Sequence, residues 1–132
     1  MLTIEIQPGR YSVCRLPAGE SLPAWARGDF VSLTRASDET SIVCPAEAVP
    51  AGVRGEPGWR LLKVAGPLDF SLVGVLASLT APLAEAGIPV FALSTFDTDY
   101  LLVKEDRLND AAGALARAGH IVRPPADGDG RA

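Results

Sequence analysis

Histidine occurs once in this chain, at position 120, and cysteine twice, at positions 14 and 44. A zinc site needs four ligands gathered tightly, more than one imidazole and two distant thiols supply, so no metal is expected. Each cysteine sits inside an apolar segment and reads as a small core residue, with a disulfide as the alternative. Basic residues are also few, 12 against 16 acidic ones for a net charge of −4, and they are scattered singly. Phosphate-backbone binding and an anionic membrane surface therefore lack an electrostatic footprint, and neither nucleic acid nor membrane is an expected partner. No window approaches the ~18 uninterrupted apolar residues of a membrane span, and the opening MLTIEIQPGR lacks a basic segment followed by an apolar one. A cytoplasmic location is expected.

Glycine loops that cradle phosphates are missing as well. Gly52, Gly55 and Gly58 lie in a stretch that also holds Pro45, Pro50 and Pro57, so no nucleotide cofactor is expected. Asp97 and Asp99, two residues apart, are the one carboxylate pair that resembles an acid and base couple. No second constellation supports them, and His120 reads as a solvated or packed side chain. The chain is not expected to be an enzyme.

Apolar residues are abundant at 48%, charged ones make up 21%, and mean hydropathy is +0.20. Such a chain buries a core, and its length allows one domain or two very small ones. With 13 glycines and 11 prolines it must turn often, so short elements are expected.

Residues 2–6 alternate apolar Leu2, Ile4 and Ile6 with Thr3 and Glu5, the period of a half-buried strand, before the turn signal Pro8-Gly9. Residues 11–16 return as a second strand, and the two together read as a hairpin. Residues 30–35 and 41–44 are the next strands, joined through Asp38, and residues 45–58 read as a connector. From Trp59 the pattern changes. A strand over 59–64 is followed by a helical stripe of Leu72, Val75, Leu76, Leu79 and Leu83, with Asp69 or Ser71 as its cap, Gly87 as its close and Pro82 breaking one backbone bond near Ser78. Strands over 89–94 and 100–103 come next. A second stripe of Leu108, Ala111, Ala112, Leu115 and Ala118 and a closing strand at 120–122 complete the series. The tail from Pro124 is polar and expected to fray.

The order β-α-β-β-α-β over this half is the ferredoxin-like arrangement, an α+β fold with two helices on one face of an antiparallel sheet. The segments PLDFSLVGVLA at 67–77 and AGIPVFALSTFDTDYLLV at 86–103 resemble the ACT domains of small bacterial proteins that are also similar to the cytosolic arginine sensors of animals. DETSIVC at 38–44 resembles the shortened ACT-like half that precedes the full domain in those proteins. The expected organisation is a β-rich half over 1–50, a connector over 51–58, an ACT domain over 59–123 and a flexible tail over 124–132.

The resemblance implies a non-catalytic sensor or regulator that binds a free amino acid, with a mild preference for a basic one, at the interface of paired ACT units. It also implies a homodimer and an unidentified regulated protein. The residues suit this. A zwitterion's carboxylate would find donors where Asp69, Ser71, Leu72, Val73 and Gly74 open the first helix, because first-turn amides are unpaired at the positive end of the dipole. Gly74 would let a ligand approach the backbone, or would serve only close packing of helix on sheet. Asp97 and Asp99 would hold a cation, or would act as ordinary turn formers. Ser94 and Thr95 would line the pocket with Phe96, whose ring is otherwise a core ring. By family position, Ser41 and Ile42 would form the opposing wall. The rival reading is a ligand-free module that dimerises or regulates a partner enzyme through its surface.

Overall fold

A computed structural model describes residues 1–125; the part of the expected tail beyond Pro125 lies outside the described residues. Strands β1 (Thr3–Ile6), β2 (Tyr11–Leu16), β3 (Ser32–Arg35), β4 (Thr40–Pro45) and β5 (Gly55–Val64) precede helix α1 (Val75–Glu85). Strands β6 (Phe91–Ser94) and β7 (Asp99–Lys104), helix α2 (Leu108–Arg117) and strand β8 (Ile121–Arg123) follow. The chain divides into two compact units, one of Met1–Pro8 with Arg60 onward, the other of Gly9–Trp59. The first eight residues thus leave the half expected at 1–50, and the stretch expected as a connector at 51–58 lies inside the second unit.

In the Gly9–Trp59 unit, β2 runs antiparallel to β4 and to the first residues of β5, and β3 lies beside β4. Cys14, Ile42 and Cys44 pack into its core with Ala26. Cys14 is opposite Ile42, and Cys44 is opposite Ser12, so the thiols are diagonal neighbours on one face. Diagonal pairs sit about 7–8 Å apart, beyond the ~4.4–6.8 Å that a disulfide spans. Both cysteines are free and buried.

The other unit holds the β-α-β-β-α-β series, with β7 between β5 and β6. Its departure from expectation is β1, which does not form a hairpin with β2. Instead β1 lies antiparallel to β5, with Ile4 opposite Val64, and parallel to β8, with Ile4 opposite Val122. One face of Ile4, Leu62, Val64, Leu101 and Val103 meets Leu79 and Leu83 of α1 and Ala111, Ala114 and Leu115 of α2. Truncating a side chain such as Leu79, fully buried here, would cost about 2–5 kcal/mol.

Both helices close alike. Gly87 has φ +72 and Gly119 φ +100, and Ile88 and His120 donate their N–H groups to the carbonyls of Leu83 and Leu115, the bond that a left-handed glycine makes possible. The start of α1 differs from expectation, for Leu72 is outside the helix. The Asp69 carboxylate accepts the Ser71 N–H and hydroxyl, both at 2.9 Å, and Leu72 N–H bonds the Asp69 carbonyl. That separate turn ends in Gly74 at φ +77, the N-cap of α1, and no side chain caps the helix.

Pro82 lies inside α1 and has no N–H to give the Ser78 carbonyl four residues before it. His120 supplies the missing donor. Its Nδ1 accepts the Leu2 N–H at 3.1 Å, so the ring proton sits on Nε2 and is donated to the Ser78 carbonyl at 3.0 Å. The expected choice between a solvated and a packed histidine resolves to packed, at 9% exposure, with both nitrogens bonded to backbone.

Two outcomes follow from these cores. His120→Ala should lower stability by about 1–3 kcal/mol in urea denaturation, and by clearly less in a Pro82→Ala background, where residue 82 again donates to Ser78; equal costs in both backgrounds would refute the exchange of donors. Burial pushes the Cys44 thiol up to about 11, with the neighbouring Cys14 adding to the effect, and Cys14 is raised by burial too. The protonated thiol thus favours the folded state, giving stability that is complete below the unfolded value of about 8.5 and lost as pH climbs toward the folded one. The urea midpoint should fall across that window, less steeply in Cys44→Ala; parallel curves would contradict it.

Candidate functional site

Two segments of the β-α-β-β-α-β unit meet around an open hollow of about 230 Å³. Leu68, Asp69, Phe70, Leu72 and Val75 line it from the loop before α1 and from the helix's first residue. Ser94 through Asp99 line it from the turn joining β6 to β7. The fold brings these together because β5 and β6 both border β7, so the chain leaving β5 and the chain leaving β6 emerge near one another.

The turn is held by its own polar groups. Thr95 N–H donates to the Thr98 carbonyl at 2.9 Å, and Thr98 N–H reaches Thr95 Oγ1 at 3.4 Å. Ser94 Oγ donates to Asp99 Oδ1 at 2.6 Å, a short charge-assisted bond. Phe96 is not a core ring. It is 80% exposed and meets the edge of Phe70 at 4.9 Å between centroids, an aromatic pair at the rim.

The hollow's charge is of one sign. Asp69, Asp97 and Asp99 line it and no basic side chain does. The bonds from the Ser71 amide, then from its hydroxyl, hold the Asp69 carboxyl below the usual carboxylate range, so it stays ionised. Among the described residues no three His, Cys, Asp or Glu side chains are placed to hold a metal ion. The first-turn amides of α1, uncapped by any side chain, offer donors to an anionic group.

Seven of the residues singled out from sequence, Asp69, Leu72, Ser94, Thr95, Phe96, Asp97 and Asp99, line this hollow. Ser71 stands behind it as the donor to Asp69, and Val73 is 93% exposed. Gly74 is adjacent as the N-cap; a Cβ there would meet nothing within 4 Å, so close packing is not what requires glycine, and its positive φ is. Ser41 and Ile42 belong to the other unit and do not line the hollow. Ile42 is fully buried in the core of that unit. Leu68 and Phe70 escaped sequence reading because loop apolar residues carry no periodic signal, and Val75 was read only as part of the apolar stripe of the helix it opens.

The family comparisons agree with the fold. A model of the ACT domain matches residues 54–117, and a model of an N-terminal domain matches residues 9–52. An X-ray structure of a protein from Agrobacterium tumefaciens is 42% identical, with a TM-score of 0.91 over 98% of each chain. The chain belongs to the ACT-domain family. The ACT chain is also similar to the cytosolic arginine sensor for mTORC1 subunit 1, at 35% identity over 80 residues of the Homo sapiens protein, 60% of this chain and 24% of that one. The Rattus norvegicus protein is 30% identical over 105 residues, 76% of this chain and 31% of that one. The ACT chain thus spans about a quarter to a third of the length of these relatives. The ligand-free regulatory subunit of aspartate kinase from Thermus thermophilus, 10% identical with a TM-score of 0.61 over 88% of this chain and 97% of that one, shares the fold.

Proposed function

We propose that this ACT protein binds a free amino acid in the hollow between the start of α1 and the β6–β7 turn, and acts as a sensor or regulator without chemistry of its own. The observation that carries the reading is the meeting of an uncapped helix start with a turn bearing two carboxylates. The ligand's carboxylate takes the amides of Val75 and its successors, its cationic group takes Asp97 and Asp99, and its aliphatic stem lies against Leu72 and the Phe70–Phe96 pair. Relatives named as cytosolic arginine sensors support a basic amino acid and a cytosolic setting.

A second reading is favoured by the rim. Phe70, Leu72 and Phe96, which line the hollow, and Val73 next to Leu72 in sequence are 73%, 53%, 80% and 93% exposed, and grouped exposed apolar side chains mark interaction surfaces. In this reading a homodimer, or contact with a regulated protein, covers the rim whether or not a small molecule is bound.

A thermal-shift panel of the standard amino acids separates the readings. At about 100 times its dissociation constant a ligand adds about 2.7 kcal/mol. A basic amino acid should raise the melting temperature, Asp99→Asn should weaken its binding by about tenfold or more, and Lys104→Ala should leave it unchanged. No shift with any amino acid would favour the interaction module.

A further inference from the structure

Thr98 is the one buried member of the acidic turn, 3% exposed between two aspartates. Although it belongs to the lining of the hollow, its hydroxyl is committed to the protein's own backbone. Thr98 Oγ1 donates to the Val64 carbonyl at 2.7 Å, at the end of β5. One residue earlier in the turn, the Asp97 carbonyl accepts the Leu68 N–H at 2.7 Å. The turn is therefore tied twice to the chain around the end of β5, once through a hydroxyl to Val64 and once through backbone to Leu68.

Gly66 lies between these ties. A Cβ there would stand 3.1 Å from the Asp97 carbonyl oxygen, the Leu68 nitrogen and Thr98 Cβ. That is tighter than ordinary contact, and two of the three atoms are backbone. Gly66 is not among the residues with positive φ, so the absent side chain, and not the backbone conformation, is what this position requires. A methyl group at 66 would act as a wedge between the loop and the turn.

We propose that Thr98 and Gly66 are positioning residues that set the width of the amino-acid hollow: the Thr98 hydroxyl anchors the acidic turn to β5, and Gly66 lets the Leu68 loop close onto it. This deepens the binding reading above and rests on it. Gly66 does not line the hollow, and the Thr98 hydroxyl is spent on the Val64 carbonyl. Their effect passes through the spacing between the uncapped start of α1 and the carboxylates of Asp97 and Asp99, which must be spanned by one small molecule. A misplacement of a fraction of an ångström at such ties is felt because hydrogen bonds weaken steeply with distance and angle, and because a buried Val64 carbonyl left without its donor draws the turn or water into a new arrangement.

The test uses full-length Thr98→Val, Thr98→Ser and Gly66→Ala proteins. Amide hydrogen exchange is followed at Leu68, with Ile88, which donates to Leu83 at the end of α1, as the internal reference for global opening. Binding is read by titration with L-arginine and the other standard amino acids. Leu68 should exchange about tenfold faster in Thr98→Val and in Gly66→Ala with Ile88 unchanged, affinity should fall about tenfold in both, and Thr98→Ser should restore both readings. Unchanged Leu68 exchange in Thr98→Val, an equal rise at Ile88, or faster Leu68 exchange with undiminished affinity would each overturn the assignment. If no amino acid binds the unaltered protein, the binding reading falls, and the claim that the two residues hold the loop and turn together is decided by the exchange data alone.

Discussion

The backbone of Gly74, at φ +77, makes α1 begin late and without a side-chain cap, and the site depends on that late beginning. Had Asp69 or Ser71 capped the helix, its first amides would be satisfied internally and the dipole's positive end would meet a carboxylate of the chain. Asp69 instead spends its hydrogen bonds on Ser71, in a turn of its own. The helix therefore starts with amides that no side chain caps, next to a turn rich in acceptors. An amino acid carries both complementary groups within a few ångströms.

A second constraint operates away from the hollow. Pro82 removes a donor from α1, and a histidine at the far end of the unit replaces it while accepting the Leu2 N–H. The N-terminal strand, the first helix and the entry to β8 thus meet at one imidazole. The same unit takes β1 between β5 and β8, so residues from opposite ends of the described chain form adjacent strands. Non-local pairing of this kind is costly in loop entropy and rewarded only when the surrounding apolar face, here Ile4 against Val64 and Val122, is buried.

Periodicity revealed much of the fold. The strand expected at 11–16 is β2 as observed, and those expected at 2–6 and 100–103 differ from β1 and β7 by a residue or so at their ends. Partners were less legible. Apolar alternation in residues 2–6 and 11–16 indicates strands but not what they pair with, and nearness in sequence suggested a hairpin where β1 in fact lies between β5 and β8. The α1 boundary slipped because Leu72 continues the stripe by spacing, while Gly74 ends helical geometry before it. Within the hollow the conspicuous residues, the paired aspartates and Phe96, were found from their chemistry. Thr98 was not, because a buried hydroxyl between two aspartates gives no sign in one dimension that its acceptor is the Val64 carbonyl. His120 is a similar case: Pro82 announces an orphaned carbonyl at Ser78, but only the fold reveals its donor.

Solved relatives below 25% identity share the architecture, while this chain matches only 24% to 31% of the length of the named sensors. The central claim therefore has to be tested on this protein, by following backbone amide resonances as each standard amino acid is added. The account predicts that one or more basic amino acids move the signals of Val75, Leu76 and Ala77 together with those of Ser94 through Asp99, saturably and more than any others. Saturable changes confined to Gly9–Trp59, or no change at the start of α1 with any amino acid, would contradict it.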